Sequence, residues 1–513
     1  MCAAVDDGRS LRLVRAGVDL FATAATALCT LVTASGAPDA GRTAQQAAPP
    51  SSWTPVAGRP LRQPRELRSR DGVLKVELDA RRQVIDVAGA PLEAQPFNGR
   101  LVGPTLRVRP GERLEVTIRN GTSERTNIHY HGLHVNPTGD ADNVFRVFEP
   151  ASTVRSVVEL PRDHPPGTYW YHVHFHGSTE EQVMGGMSGL LIVDGLEQIL
   201  PRRFRGIRER ALALRDVQVD GGSIVMGQGE VAPDKPSTWL VNGQLRPTLS
   251  LSPGETQLWR IANIGADLFY DVALDGHRLS VVAEDGSPVW RTRTARHLVL
   301  PPGKRFDVLV QGGKPGRYGF RSRPYDEGFE LLPAKRLATL TVGGKRRPRL
   351  ALPRRLATPA PPIAGRPVTR RRTFTFAFGT GTAFTALING KVFDPHAIGV
   401  TPRLGTVEEW TLRNPSSEDH PFHIHVNDFQ VMSVNGTPYR ARGLQDVVVV
   451  PKNGGEVVIR NRFEDFTGHF VFHCHILGHE DAGMMQTVQV LGPGQRPTPP
   501  PGGDHAALHA APG

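Results

Sequence analysis

Near its C-terminal end the chain reads His473-Cys474-His475-Ile476-Leu477-Gly478-His479-Glu480-Asp481-Ala482-Gly483-Met484. Begun as a strand, this run sends alternate side chains to opposite faces, so His473 and His475 point one way and Cys474 the other. The loop that follows presents His479 and Met484 at successive five-residue intervals after the cysteine. A thiolate, an imidazole and a thioether together suit copper. One more histidine would complete a trigonal His2Cys site with a weak axial Met, the ligand set of a blue electron-transfer centre. The flanking histidines then face a second metal site. Two redox sites are thereby joined through three residues of chain.

The surrounding chain has 513 residues, too many for one core and enough for roughly three or four domains. A hydrophobic content of 39% supports globular folding, and 55 Gly with 44 Pro favour many turns over long helices. Cysteine occurs only at positions 2, 29 and 474, so the folded body holds one thiol and a disulfide framework is excluded. The formal charge of +11 could indicate an anionic partner. The arginines are spread widely and no nucleic-acid-binding motif is present, so nucleic acid is not an expected partner.

At the start, Arg9, Arg12 and Arg15 precede an apolar segment from Ala16 to about Ala34, followed by small residues and Pro38. Basic, apolar and small regions in that order make residues 1–36 an export signal and predict a periplasmic or extracellular protein. The segment is short and Thr-rich, so stable membrane insertion is not expected. Residues 37–62, rich in Ala, Pro, Ser and Gln, read as a flexible linker.

A weak repeat then runs through the body. Asn98-Gly99, Asn242-Gly243 and Asn389-Gly390 are each followed by a second turn at Pro110-Gly111, Pro253-Gly254 and Leu404-Gly405. Each copy closes on an alternating strand and an asparagine: Asn120, Asn263 and Asn414. A spacing of roughly 150 residues is domain-sized rather than solenoid-sized. Short strands with such punctuation indicate an all-β protein of three Greek-key β-sandwich or barrel domains, at 63–197, 205–343 and 370–492. The basic, Pro-rich stretch 344–369 reads as a solvated linker, and 493–513 as a disordered tail.

Three further histidine clusters occur: His129-Tyr130-His131, His172-Val173-His174-Phe175-His176 and His420-Pro421-Phe422-His423-Ile424-His425. One His-x-His pair is a weak metal signal. Four of them beside a lone cysteine are a strong one. Two lie in the first β domain, two in the third and none in the middle, which places one shared site between domains one and three. Period-two spacing lets each pair project two imidazoles into the same space. The pairs His129/His131, His172/His174, His423/His425 and His473/His475 supply eight, too many for one copper and enough for three with open positions. His420 is left as the second imidazole for Cys474, His479 and Met484.

These four motifs, in this order, resemble those of the multicopper oxidases, the family of laccases, bilirubin oxidases, ferroxidases and bacterial copper-efflux oxidases. The resemblance covers about residues 63–492. It implies three cupredoxin domains and four coppers: a type 1 copper on His420, Cys474, His479 and axial Met484, and a type 2 copper on His129 and His423. The type 3 pair would use His131, His172 and His475 on one copper, and His174, His425 and His473 on the other. Electrons would pass from a donor near His479 through Cys474 to His473 and His475, and O2 would be reduced to water. The resemblance further implies two acids for proton delivery, Glu480 and an aspartate in Gly139-Asp140-Ala141-Asp142-Asn143, with Asp142 the better match and Asp140 its rival. His134 and His176 read as hydrogen-bonded neighbours. Met184, Met187 and Met485 read as packing residues.

The expected donors are small aromatic reductants, phenols or aromatic amines, as for a laccase. A metallo-oxidase turning over Cu(I) or Fe(II) is the enzymatic alternative, although no methionine-rich insertion is present. A structural member of the fold without copper is the alternative of another class. Oligomeric state has no signal in the sequence.

Overall fold

The computed structural model describes residues 50–226, 236–358 and 360–501. The expected leader over 1–36, the linker as far as residue 49 and the tail from residue 502 lie outside the described residues.

The repeat seen in the sequence is a repeat of backbone clasps. Asn98, Asn242 and Asn389 have φ of 53°, 53° and 54°, and the glycines after them have 66°, 71° and 72°. Positive φ at two consecutive positions defines the hairpin turn whose twist matches paired strands, and Asn-Gly is its preferred sequence. In all three copies the asparagine then grips the strand ahead of it. Its Oδ1 accepts from the backbone N–H of Asp79, Ala213 and Thr375 respectively, and its Nδ2 donates to the carbonyls of Glu77, Ala211 and Thr373.

The second asparagine of each copy makes a second clasp. The Oδ1 atoms of Asn120, Asn263 and Asn414 accept from the N–H two residues on. Their Nδ2 atoms donate to carbonyls across the turn: Glu124, Phe148 and Glu149 for Asn120, Leu268 and Leu300 for Asn263, and Glu418 and Val450 for Asn414. All three are buried, so these bonds satisfy amides that water cannot reach.

Around these clasps the chain forms three cupredoxin-like domains, each of two packed sheets. In the first, a five-stranded sheet ends on Gly167–His172 and His129–His131, and faces a three-stranded sheet centred on Arg113–Asn120. The second pairs a seven-stranded sheet with a five-stranded one. In the third, a six-stranded sheet faces a four-stranded sheet ordered Val447–Val450, His420–Ile424, Gly468–Cys474, Met485–Val490. Val73–Ala80 and Gly455–Phe463 alternate between buried and more exposed positions, whereas Thr256–Asn263 is buried at every position. A small extra sheet links the first two domains, where Ser223 pairs with Glu93. Among the described residues no helix is long and apolar enough to cross a membrane.

Segments expected to be loose are partly tied down. Ala57 and Pro60 pair with Leu245 and Thr248 of the second domain, and Trp53 Nε1 donates to the Val87 carbonyl. The stretch 344–369 lies along the second domain, with Trp290 Nε1 bonded to the Ala360 carbonyl and Thr292 Oγ1 to that of Pro353. Past residue 493, Thr498 is held by both Gln489 and His469. Proline removes donors but leaves carbonyls, and those carbonyls are what the neighbouring domain binds.

Candidate metal centre

Strand register brings the histidine motifs together. His129 stands opposite His172, and His423 opposite His473. Across the interface between the first and third domains, His129 stacks on His425 with ring centres 3.7 Å apart, and His131 on His423 at 3.8 Å. All eight rings are buried.

Their nitrogens converge in separate groups. The Nε2 atoms of His174, His425 and His473 form a triangle with sides of 3.1, 3.1 and 3.3 Å. Three donors about 2.0 Å from a common centre at tetrahedral angles would stand about 3.3 Å apart. His131, His172 and His475 form a second group, with His475 Nε2 3.1 Å from His131 Nδ1. His129 and His423 approach each other beside His131.

The opposite ring atoms fix the orientation. His473 Nδ1 lies 2.9 Å from both the Cys474 carbonyl and Glu480 Oε2, His172 Nδ1 donates to the Val173 carbonyl, and His423 Nδ1 to that of Asp446. His129 Nδ1 is 3.0 Å from Asp142 Oδ1. The Nε2 atoms of His129, His172 and His423 are then buried without a hydrogen-bond partner. Burial first, and then the neighbouring rings, push His129, His131, His423, His425 and His475 well below the usual imidazole range, and His172 down to about 3. Neutral rings with unused inward lone pairs are costly in a protein interior unless a metal takes them. The donor set fits copper.

The thiol site lies on the other side of the same strand. Cys474 Sγ is 3.6 Å from His420 Nδ1 and 3.7 Å from His479 Nδ1, and all three residues are buried. Trigonal coordination with ordinary metal–nitrogen and metal–sulfur bonds would separate N and S by about 3.7 Å. Burial pushes the Cys474 thiol up, with His479 opposing, so metal binding there would displace a proton. The fully buried Met484 closes the loop: its N–H donates to the His479 carbonyl and its carbonyl accepts from the Cys474 N–H. A one-turn helix, Leu477–Asp481, turns His479 toward the thiol and Glu480 toward the histidine cluster, where Glu480 Oε1 lies 3.3 Å from His174 Nδ1.

Of the two rival aspartates, Asp142 touches His129, while Asp140 is exposed and paired with Arg146 at 3.0 Å. Desolvation raises Asp142 to about 8. Glu480 is also buried, which would raise it, but His174 and His473 hold it down at about 2. His134 bonds the Val426 carbonyl and Asp465 rather than the cluster. Met184, Met187 and Met485 are buried.

A buried network from the middle domain gave no signal in the sequence. Arg305 grips Asp446 with two bonds of 2.6 and 2.7 Å, and Asp446 Oδ1 lies 3.3 Å from His131 Nε2. Asp285 accepts from Lys304 and from the backbone N–H of Arg305, Asp446 and Val447. Glycine is required on both sides of this clamp. A Cβ at Gly303 (φ +82°) would reach within 2.9 Å of the His131 ring, and one at Gly132 (φ +83°) would overlap Asp446 and Arg305. Only residue spacing within a motif is visible in a sequence, and Arg305 and Asp446 stand 141 residues apart.

Family models described as multicopper oxidase match residues 80–198, 217–341 and 364–493, one for each domain. The chain belongs to the multicopper oxidases. Among its relatives in that family is the multicopper oxidase mco of Staphylococcus haemolyticus, 28% identical over 406 residues, or 77% of this chain and 83% of that one. The cell division protein FtsP of Escherichia coli is 29% identical over 417 residues, 77% of this chain and 84% of the other. Among solved structures, a multicopper oxidase from Campylobacter jejuni described as a metallo-oxidase superposes with a TM-score of 0.74 at 26% identity, covering 85% of this chain and 96% of that one.

Proposed function

We propose that this multicopper oxidase is a laccase-like enzyme that couples one-electron oxidation of small reductants to reduction of O2 to water. One observation carries the reading: Cys474 sits in a buried strand between two histidines whose rings belong to different histidine groups. The proposed type 1 ligands are His420, Cys474, His479 and Met484. His129 and His423 would hold a type 2 copper; His131, His172 and His475 one type 3 copper; and His174, His425 and His473 the other. Bound there, the metals would supply single-electron acceptance at the thiolate and four-electron reduction of oxygen at the cluster.

The chain's own part is connection, orientation and proton supply. Cys474 and its two peptide bonds give the shortest covalent route from the thiolate to His473 and His475. Glu480 keeps His473 and His174 turned with Nε2 inward. Asp142, hydrogen-bonded to His129, and Glu480 are the proposed proton relays. The same reading has the protein exported, with domain limits near 63–197, 205–343 and 370–492.

The reductant would meet the His479 edge. There a short hairpin of the second domain, Tyr325–Asp326 paired with Leu331–Leu332, brings Glu327, Phe329 and Glu330 beside Asp267 and Glu418. Four exposed large apolar side chains, Phe329, Leu331, Phe384 and Val392, belong to this hairpin or to the Phe384–Phe393 segment that meets His479 and Gly483. Carboxylates beside aromatic rings would stabilise the cation left when a neutral aromatic amine gives up an electron, which favours an amine over a phenol that ends neutral by losing its proton. They also give the Fe(II) form of the metallo-oxidase reading a specific basis, since carboxylate oxygens suit ferrous ion better than soft Cu(I).

Oxygen uptake by copper-loaded protein tests the proposal, with a phenol, an aromatic amine, Cu(I) and Fe(II) compared side by side. Fast uptake with the amine and no peroxide is the expected result. Preference for a metal ion makes the protein a metallo-oxidase. A preparation that binds no copper sinks the oxidase reading and leaves a structural role.

A further inference from the structure

One cleft among the described residues shares no lining residue with the histidine and cysteine groups. It has a volume of about 330 Å³ and is formed where the segment before the first domain crosses the first and second domains. Arg59, Arg62, Arg65 and Arg100 line it, and Asp86 is its one acid. Asp86 already accepts the Gly89 N–H. None of the four arginines makes an ion pair or a side-chain hydrogen bond with a described residue. Nearby arginines behave differently: Arg82 and Arg119 pair with Glu93 and Glu77, and Arg107 is shared among Glu66, Asp194 and Glu209.

The order of these residues is as informative as their charge. Arg59-Pro60-Leu61-Arg62-Gln63-Pro64-Arg65 places an arginine at every third position between prolines. Extended proline-set chain repeats every three residues and advances about 9 Å in doing so, which puts all three guanidinium groups on one edge. The segment is fastened to the second domain at several points. Pro60 pairs with Thr248, the Arg62 N–H donates to Gln244 Oε1, and its carbonyl accepts from Asn242 Nδ2. A fixed backbone therefore presents a ladder of cations, uncompensated among the described residues, over a concave floor.

We propose that this cleft docks a linear polycarboxylate, a polysaccharide of the uronate type. Guanidinium groups bind carboxylates through paired hydrogen bonds, and a rigid row loses little conformational freedom on binding. The arginine spacing is close to the disaccharide repeat of an extended uronate chain, in which every second carboxylate points the same way. A phosphate polymer carries its charges far more densely than this ladder. Docking here is independent of copper and would hold the enzyme on an acidic polymer without using the His479 edge.

Titration calorimetry of the copper-loaded full chain with oligogalacturonate, in low salt, tests this. Arg59→Ala/Arg62→Ala/Arg65→Ala should weaken binding by about tenfold or more. Lys345→Ala/Arg346→Ala/Arg347→Ala removes the same charge from another exposed stretch and should leave binding within about twofold. Arg59→Lys/Arg62→Lys/Arg65→Lys keeps charge but loses the paired geometry, and should fall between. Oxidase turnover is expected to be unchanged in all three. Equal losses in both alanine triples would show diffuse attraction and overturn the proposal. Tighter binding of polyphosphate or nucleic acid than of uronate, or no binding at all, would also overturn it.

Discussion

His420, Cys474, His479 and Met484 all belong to the third domain, and the loop closed by Met484 carries two of them. The eight cluster histidines come half from the first domain and half from the third, and Arg305 of the second holds Asp446 against one of them. The thiol pocket can therefore form when one domain folds, whereas the cluster needs the first and third domains docked, with the second bracing one of its rings through Asp446. The strand Gly468–Cys474 and its continuation through His475 belong to both, since alternate side chains leave it on opposite sides.

The largest effect should come from cutting the link between them. Cys474→Ser removes the thiolate and should abolish both the blue absorption and turnover, while copper analysis still finds metal at the cluster. Turnover surviving in that variant would break the proposed route between the sites. Asp142→Asn changes only the cluster side. It should keep the blue band and slow reoxidation by O2 by about 100-fold in stopped flow; an unchanged rate would remove Asp142 from proton delivery. Arg305→Lys keeps a charge beside Asp446 but loses the two-bond grip. Copper affinity of the cluster should fall by about tenfold with the blue site unaltered, read by stepwise metal removal. Equal loss at both sites would mean that the pocket depends on domain docking as much as the cluster does.

The sequence made the local features legible. Three Asn-Gly turns announced three domains because that dipeptide satisfies a backbone conformation other residues resist, and the turns formed with nearly equal φ. Four His-x-His pairs announced a shared cluster because a strand sends alternate residues to one side. Composition misled at the edges. Pro-rich stretches around residues 57 and 350 read as free linkers, yet their carbonyls and side chains bond the second domain.

The remaining features depend on chain segments meeting at long range. By sequence Asp142 is the better match and Asp140 its rival, and only folding buries one against His129 and leaves the other in solvent. The middle domain has no copper motif, so its Arg305–Asp446 clamp and its acidic hairpin near His479 could not be read from spacing. The sequence by itself determined the donor types and their alternation, which are properties of neighbouring residues. The tertiary structure decided which nitrogens face one another, which carboxylates orient them and which arginines find no partner among the described residues. Those outcomes follow from burial and docking, where desolvation makes most buried polar atoms find a partner, singles out the few inward imidazole nitrogens that do not, and leaves exposed groups free to wait for a ligand.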